Sequence, residues 1–337
     1  MRIGSLRLAA ALMGLVLATP LARADEPFTI RAAWASVPGQ MFPILMQMRD
    51  VLVHYGKSYV VEAIRAPGSG PQTTALASGD LNLAYFAPSA FALAIQNAHM
   101  DDLALIGEAT RDGYEDYYTR QFAVLPKSPI KTIDDLKGKV IGDNSIGGAM
   151  DLGMRHVLAS HGLEDKRDYT VVEIEFPNMI AALTAGRVDM GFLTTPFSVV
   201  PVKSGAVRVL FTMKEAMSGP SELTIIAARR PFIAAHRAVL VDYFEDTGRA
   251  LRWILDPAHR TAALQLVADF TKQPVANFAD WIFTKSDDYH ALDSRPDVAA
   301  MQKNFDILRQ LGMLKIDIDA KASSDLSIVD AAAARLR

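Results

Sequence analysis

The 337-residue sequence contains no cysteine, which excludes structural disulfides, zinc fingers and thiol catalysis. It also lacks an excess of positive charge: 35 basic residues stand against 38 acidic ones. No stretch clusters the lysines and arginines that the phosphates of nucleic acids or an anionic lipid surface require, so neither is an expected partner. What is present, 50% hydrophobic and 8% aromatic residues, is typical of a folded globular protein.

The N-terminus has the pattern of a secretory signal peptide. Arg2 and Arg7 precede an apolar run over residues 8–18, and a small-residue cleavage pattern follows at residues 22–24. A membrane anchor is the alternative, but a membrane-spanning helix needs about 20 apolar residues and the run is shorter. We predict cleavage after Ala24, which removes three arginines and no acidic residue and lowers the formal net charge from −3 to −6. Without cysteine the exported chain is not a lipoprotein, so a freely diffusing periplasmic protein is expected.

After residue 24, short apolar strands alternate with amphipathic helical patterns, which is typical of an open α/β sheet. The apolar spacing of residues 41–52 predicts one helix, and a loop at residues 66–71 leads into another, with Ser69 as its expected N-cap. A second series of the same order begins after Tyr117, and from about Pro231 onward helices replace strands. The chain exceeds what one hydrophobic core usually serves, so two lobes are expected.

The two series align with each other without gaps. Residues 75–86 lie over residues 182–193 at an offset of 107, and residues 36–41 lie over residues 145–150 at an offset of 109. Few residues are identical, but the order of helix, glycine, polar residue and strand recurs. We interpret the repetition as two similar lobes that face each other across a cleft. Chance similarity between α/β segments is the alternative that stays open.

Small hydroxyl, amide and glycine residues stand where strands lead into helices. Such positions expose backbone N–H groups at the positive end of a helix dipole, which together bind an anion without a full positive charge. Ligands of open α/β sheets bind at the carboxyl ends of the strands. The alternative is that these residues only cap their helices. The candidates are Ser36, Gly39, Ser69, Gly70, Ser89, Asn144, Ser145, Gly147, Thr194 and Thr195.

Aromatic and charged side chains supply further candidates. Trp34 ends the first predicted strand and Phe197 lies beside the predicted loops, so both are expected to wall a ligand pocket. Arg111 is positioned to reach an acidic group on a ligand, and an exposed ion pair with Glu115 or Asp116 is the alternative. No dinucleotide, phosphate-loop, serine-hydrolase or metal-binding motif occurs. Neither a cofactor nor a metal is therefore expected.

Several segments, taken together, are similar to those of one family. They are the signal peptide, Ala-Pro-Gly-Ser-Gly at residues 66–70, Ala-Leu-Ala-Ser-Gly-Asp-Leu-Asn at residues 75–82, and the element that ends in Gly-Arg-Val-Asp at residues 182–189. The most specific is the run at residues 126–140, which contains Ser-Pro-Ile and then Asp-Leu-Lys-Gly-Lys. Over about residues 28–270, the chain resembles the solute-binding proteins of ABC transporters, in the sulfonate, nitrate and taurine group.

This resemblance implies a type 2 periplasmic binding protein fold, with a ligand cleft between two open α/β lobes and a helical C-terminal tail. It implies lobe one from residues 25–117 plus 215–337 and lobe two from residues 118–214, with hinge crossings near residues 117–121 and 218–223. It also implies that a small-molecule ligand favours closure of the lobes, and that the permease of an ABC transporter reads the closed state. A monomer without catalytic activity is expected.

One departure from the family bears on the ligand. Taurine and sulfonate binders often carry Trp-Asp-Pro after a strand of lobe two, whereas this chain has Leu-Thr-Thr-Pro at residues 193–196. Because Thr195 replaces the carboxylate that would pair with a ligand amine, we expect a sulfonate, nitrate, aromatic or carboxylate-like anion. An enzyme of the same fold acting on a small heterocycle, such as a pyrimidine precursor, is the alternative, although such relatives work inside cells. A receptor for another importer or for a membrane sensor also stays open.

Overall fold

The computed structural model describes residues 26–337, so the predicted signal peptide and its cleavage site lie outside the described residues. Mixed sheets form its framework. The strands, in chain order, are β1 (Phe28–Trp34), β2 (Tyr59–Arg65), β3 (Ala84–Phe86), β4 (Leu103–Asp112), β5 (Gln121–Val124), β6 (Lys139–Asp143), β7 (Tyr169–Glu173), β8 (Met190–Leu193), β9 (Arg208–Thr212) and β10 (Ser221–Arg229).

Two sheets have the same strand order, and each defines one lobe. In lobe one, β1 pairs parallel with β2, β10 pairs antiparallel with β3 and β4, and a bridge between Ala32 and Leu83 joins them in the order β2-β1-β3-β10-β4. In lobe two the order is β7-β6-β8-β5-β9, with β5 antiparallel to both of its neighbours. In each sheet the fourth strand, β10 or β5, is the one that the chain enters after crossing from the other lobe. The structure therefore repeats the unit found in the sequence.

Helices flank the sheets, and the repeat extends to them. The helices preceding β3 and β8 are each followed by a glycine with positive φ, 82° at Gly79 and 66° at Gly186, a left-handed conformation that favours glycine. The helices, in chain order, are α1 (Phe42–Leu45), α2 (Ser69–Ser78), α3 (Pro88–Ala98), α4 (Ala149–Ser160), α5 (Met179–Thr184), α6 (Val199–Lys203), α7 (Met213–Ala216), α8 (Arg230–Leu255), α9 (Arg260–Thr271), α10 (Val298–Gln310) and α11 (Ser327–Arg335), with 3₁₀ turns at Tyr114–Asp116, Asp134–Leu136, Phe176–Asn178, Pro257–His259 and Val275–Asn277.

The helix predicted over residues 41–52 is wrong in its extent. Helix α1 ends at Leu45, and turns follow it. Residues 41–46 are all buried, and the ring of Phe42 stacks on Tyr85 with 4.3 Å between centroids. A helix with one buried face would expose part of this segment, so packing on all sides overrides the helical spacing.

The helical tail packs onto lobe one. Tyr243 of α8 shares a hydrophobic cluster with Ile30 of β1 and Tyr59 of β2. The carboxylate of Asp246 accepts hydrogen bonds from the backbone N–H groups of residues 53–55 and from the hydroxyl of Tyr59, at 2.8–3.1 Å. One side chain of the tail thus fixes the loop before β2. Within residues 26–337, no helix is both long enough and apolar enough to span a membrane.

The two lobes touch along one side. Helices α3 and α10 of lobe one both contact α4 of lobe two. Phe91 and Phe305 belong to the same hydrophobic cluster as Phe122 and Met213 of lobe two. The apolar core is therefore continuous from one lobe to the other.

Candidate functional site

A cleft between the lobes is lined by residues of both. Its outer pocket has a volume of about 590 Å³, part of it open to solvent. The outer pocket is the space bordered by Trp34, Ala35, Ser36, Val37, Arg65, Pro67 and Gly68 of lobe one and by Asn144, Glu175, Phe176, Pro177 and Phe197 of lobe two.

An inner pocket is continuous with the outer one, because Ala35, Ser36, Gly68, Asn144 and Phe176 border both. The remaining residues of the inner pocket include three threonines, two glutamines and an arginine among apolar walls. They are Gly39, Gln40, Ser69, Gln72, Tyr85, Phe86, Ala87, Thr110, Arg120, Gly148, Ala149, Met150, Phe192, Thr194, Leu223 and Thr224.

The N-termini of three helices border the inner pocket. Gly68, Ala87 and Gly148 are the N-cap residues of α2, α3 and α4, and none of these residues caps its helix with its own side chain. Ser69, predicted as an N-cap, instead follows the N-cap Gly68, whose φ of 79° favours glycine. The first turn of a helix presents N–H groups without intrahelical partners and the positive end of the dipole. The inner pocket is thus suited to a negatively charged or strongly accepting group.

Each charged side chain that borders the cleft already has a partner of opposite charge. Arg65 of lobe one contacts Glu175 of lobe two at 3.1 Å, and both side chains are half exposed. Arg120 donates to both carboxylate oxygens of Asp288, at 2.7 and 2.8 Å, and lies 3.3 Å from Asp112. Burial lowers the pKa of Arg120, but these two carboxylates outweigh the effect and the pKa is raised. The cleft therefore offers dipoles and hydroxyl groups rather than an uncompensated cation.

Thr110 adds a free polar atom to the inner pocket. It lies on β4, is 1% exposed, and its Oγ1 has no hydrogen-bond partner in the described part of the chain. A buried hydroxyl without a partner costs free energy unless something in the cleft pairs with it. Thr110 is thus a feature that favours a ligand with a polar group at this depth.

Hydrogen bonds between the lobes form what we call the seam. The backbone N–H of Ser69 donates to Oγ of Ser145 at 3.2 Å, and Oγ of Ser89 donates to the carbonyl oxygen of Gly147 at 2.8 Å. Ser69 and Ser145 are both buried, and Gly68 packs directly on Ser145. The seam joins the N-terminal ends of α2 and α3 to the loop before α4, so it requires the lobes to be close together.

Seven of the residues predicted from the sequence border the cleft, and the others lie elsewhere. The cleft is bordered by Trp34, Ser36, Gly39, Ser69, Asn144, Thr194 and Phe197. Ser89 and Ser145 lie in the seam, Gly70 and Gly147 border a separate surface groove, and Thr195 is buried without bordering the cleft. The ligand contacts of all these residues stay predictions.

Arg111 does not border the cleft. Its Nε donates to Glu108 at 2.6 Å and to Glu222 at 3.1 Å, both of which are buried. The predicted partners Glu115 and Asp116 are replaced by carboxylates of β4 and β10, because the pairing of these strands brings Glu222 beside Arg111. The guanidinium of Arg111 thus compensates two buried carboxylates within lobe one.

Several bordering residues were not singled out from the sequence. Glu175 and Phe176 lie two and three residues after the end of β7, so the rule that sites lie after strand ends points to them as it does to Asn144 after β6. Arg120 and Thr110 carry no such signal. Arg120 precedes β5 and Thr110 lies within β4, and only the crossing of the chain between the lobes brings them to the inner pocket.

Within residues 26–337, one group of histidine and carboxylate side chains has atoms close enough to hold a metal ion. It consists of His54, Asp242 and Glu245, whose atoms lie within 4.8 Å of one another. Arg335 donates to Asp242 at 2.7 Å, and Arg249 donates to Glu245 at 2.7 Å. Because each carboxylate is already paired with a guanidinium, the group acts as an ion-pair network that joins α8 to α11. It does not border the cleft.

The model of the NMT1-like family matches residues 25–268, well over half of the sequence. The chain belongs to the NMT1-like family. No curated protein sequence is significantly similar to it. The match covers both sheets and the cleft between them, and it ends within the helical tail.

Solved structures of the same fold are numerous. The alkanesulfonate-binding protein SsuA of Xanthomonas axonopodis pv. citri, bound to MOPS, superposes with a TM-score of 0.68 at 20% identity, over 90% of this chain and 100% of that one. The periplasmic nitrate-binding protein NrtA of Synechocystis PCC 6803 gives a TM-score of 0.72 at 14% identity, over 94% of this chain and 90% of that one. The desulfurization enzyme DSZB gives a TM-score of 0.64 at 15% identity, over 92% of this chain and 100% of that one. The predicted family group and the two-lobed α/β fold with a helical C-terminal region are confirmed.

Proposed function

We propose that this protein is the periplasmic receptor of an ABC importer, which captures a small organic or inorganic anion between its lobes and delivers it to the membrane permease. The observation that carries the proposal is the inner pocket, which is bordered by three helix N-termini from the two lobes and by hydroxyl and amide groups. Export with cleavage after Ala24 and a monomeric state are part of the proposal. Similarity in fold to the sulfonate- and nitrate-binding proteins supports it.

Receptor function depends on closure of the two lobes around the ligand. Residues of both lobes border each pocket, so a bound ligand gains its full set of contacts only when the lobes are close. A ligand that binds the closed state more tightly shifts the population toward it. The seam between Ser69 and Ser145 forms only in that state, and the permease can then distinguish loaded from empty receptor.

An enzyme is the competing function, since DSZB has the same fold. Among the described residues, those bordering the cleft include no histidine, cysteine or lysine, three of the usual general bases and nucleophiles. The carboxylate that borders it, Glu175, is paired with Arg65 at 3.1 Å. Tyr85 is also unsuited to proton transfer at neutral pH, because burial, then the neighbouring Tyr243, raises the pKa of its hydroxyl. This composition favours binding without chemical change.

Thermal unfolding of the purified protein, refolded to remove any ligand, tests the proposal against sulfonates, inorganic oxyanions, aromatic carboxylates and pyrimidines. A ligand present at 100 times its Kd stabilises the native state by about 2.7 kcal/mol. We expect at least one anion to raise the unfolding midpoint and to be recovered unchanged after incubation. Chromatography of the incubated compound measures the second point.

A pair of asparagine variants makes the test specific to the cleft. Asn144 borders both pockets, whereas Asn178 of the same lobe is exposed and borders neither. The ligand-induced shift should shrink in Asn144→Ala and persist in Asn178→Ala. Consumption of more than one equivalent of any compound by the unmodified protein, lost in Asn144→Ala, would instead make the protein an enzyme.

A further inference from the structure

The two pockets of the cleft differ in chemistry. We infer that the cleft binds a planar aromatic molecule with one acidic group, the ring in the outer pocket and the acid in the inner pocket. The inference rests on the proposed function and names the class of ligand for the same cleft. A monoanionic aryl carboxylate or aryl sulfonate is the simplest member of this class.

The outer pocket supplies flat apolar walls. Trp34 and Pro67 of lobe one face the cleft together with Phe176, Pro177 and Phe197 of lobe two. Stacking of a ligand ring against such side chains buries apolar area from both lobes at once. An inorganic oxyanion held at the helix N-termini would leave these walls without contacts. The aromatic lining therefore favours a ligand with a ring.

The inner pocket favours one negative charge. Three helix N-termini and the unpartnered, buried Oγ1 of Thr110 border it, and these groups donate to an acid without neutralising a full charge. The cation that borders this pocket, Arg120, is held by both oxygens of Asp288. A dianion would bring a second charge that no bordering cation compensates. A monoanion fits this balance.

Isothermal titration with five probes tests the inference: benzoate, benzenesulfonate, methanesulfonate, nitrate and benzamide. Benzoate or benzenesulfonate should bind at least about tenfold more tightly than methanesulfonate or nitrate, because only the aryl probes contact the outer pocket. Benzoate should also bind more tightly than benzamide, its uncharged analogue of similar shape. Thr110→Val, which removes Oγ1 at nearly constant volume, should lower the affinity for benzoate more than the affinity for benzamide.

Two tryptophans provide a matched pair of variants. Trp34 and Trp253 are both partly buried against the same hydrophobic cluster of lobe one, but only Trp34 borders the cleft. Trp34→Ala should weaken benzoate binding by about tenfold or more and leave methanesulfonate binding unchanged, whereas Trp253→Ala should change neither. Phe197→Ala, on lobe two, repeats the test if Trp34→Ala unfolds.

The outcomes separate the inference from the proposed function. If methanesulfonate or nitrate binds as tightly as the aryl acids and Trp34→Ala has no effect, the aromatic class is overturned while the receptor function stands. If benzamide binds as tightly as benzoate, the requirement for an acidic group on the ligand is overturned. If a probe is converted by the protein, the receptor function itself fails. If none of the five probes binds, the inference is overturned, and the broader thermal panel decides the function independently.

Discussion

Replacement of Ser145 by valine should hold the cleft open. Ser145 is 5% exposed, its Oγ accepts the N–H of Ser69 at 3.2 Å, and a Cβ built on Gly68 would lie 2.9 Å from the same oxygen. Valine replaces this oxygen with a methyl group that cannot accept the N–H of Ser69, and it adds a second methyl group at a buried contact between the lobes. Overpacking of this kind costs about 1–3 kcal/mol, and it falls on the closed state alone because the contact joins the two lobes.

The affinity of the tightest ligand should then fall about 5- to 150-fold, since binding requires the closed state. Ser145→Ala loses only a hydrogen bond, about 0.5–1.5 kcal/mol, so its affinity should fall about 2- to 13-fold. Ser160→Val, at an exposed position at the end of α4, is the control. Isothermal titration measures the affinities, and small-angle scattering measures the radius of gyration without ligand.

The reasoning about the seam is refuted if Ser145→Val binds as tightly as Ser145→Ala and has the radius of gyration of the unmodified protein. Equal melting temperatures of the variants without ligand would show that the comparison concerns closure and not unfolding. A larger radius with unchanged affinity would place ligand contacts on a single lobe, which also contradicts the account.

Three further predictions concern charged groups. Burial, then repulsion from a nearby carboxylate, raises the pKa of Asp143 to about 8. The folded protein therefore keeps a proton on Asp143 that the unfolded chain releases. As a result, the free energy of unfolding falls as the pH rises toward 8, by up to about 1.4 kcal/mol per pH unit. Urea denaturation at pH 6 and pH 8 should show that Asp143→Asn loses less unfolding free energy between the two pH values than the unmodified protein does. Equal losses in the two proteins would refute the buried proton. Asp288→Asn removes one of the two carboxylate charges that face the buried Arg120, so the protein should lose up to about 3–5 kcal/mol of stability. It should also show a larger thermal shift with anions, and an unchanged shift would mean that Arg120 does not act on the ligand. Arg65→Ala removes a half-exposed pair with Glu175, so the affinity should change by less than about fivefold, and a greater loss by titration would mean that Arg65 contacts the ligand directly.

The parts of the fold that follow local rules could be predicted from the sequence. Alternating apolar strands and amphipathic helices indicated an open α/β sheet, and the glycines at positions 79 and 186 marked equivalent turns because both take a positive φ. Asn144 and Trp34 were found by the rule that ligand sites follow strand ends, and both border the cleft. Local geometry fixes these features, so a single sequence carries them.

Features set by contacts between distant segments could not be predicted. Arg111 pairs with Glu222, 111 positions away, and nothing in either segment marks the other. The segment around Phe42 has helical spacing but is buried on all sides, so packing decides its conformation. Ser145 is a predicted ligand contact because it follows a strand end, but its hydrogen bond to Ser69 of the other lobe has no local signal in the sequence.

Hydrogen–deuterium exchange with and without the tightest anion of the thermal panel tests the central claim most directly. If the ligand bridges the lobes, exchange should slow at the N-terminus of α2 in lobe one and at the N-terminus of α4 in lobe two, with the compound recovered intact. Slower exchange in one lobe only, or protection accompanied by conversion of the compound, would contradict a receptor that works by closing around its ligand.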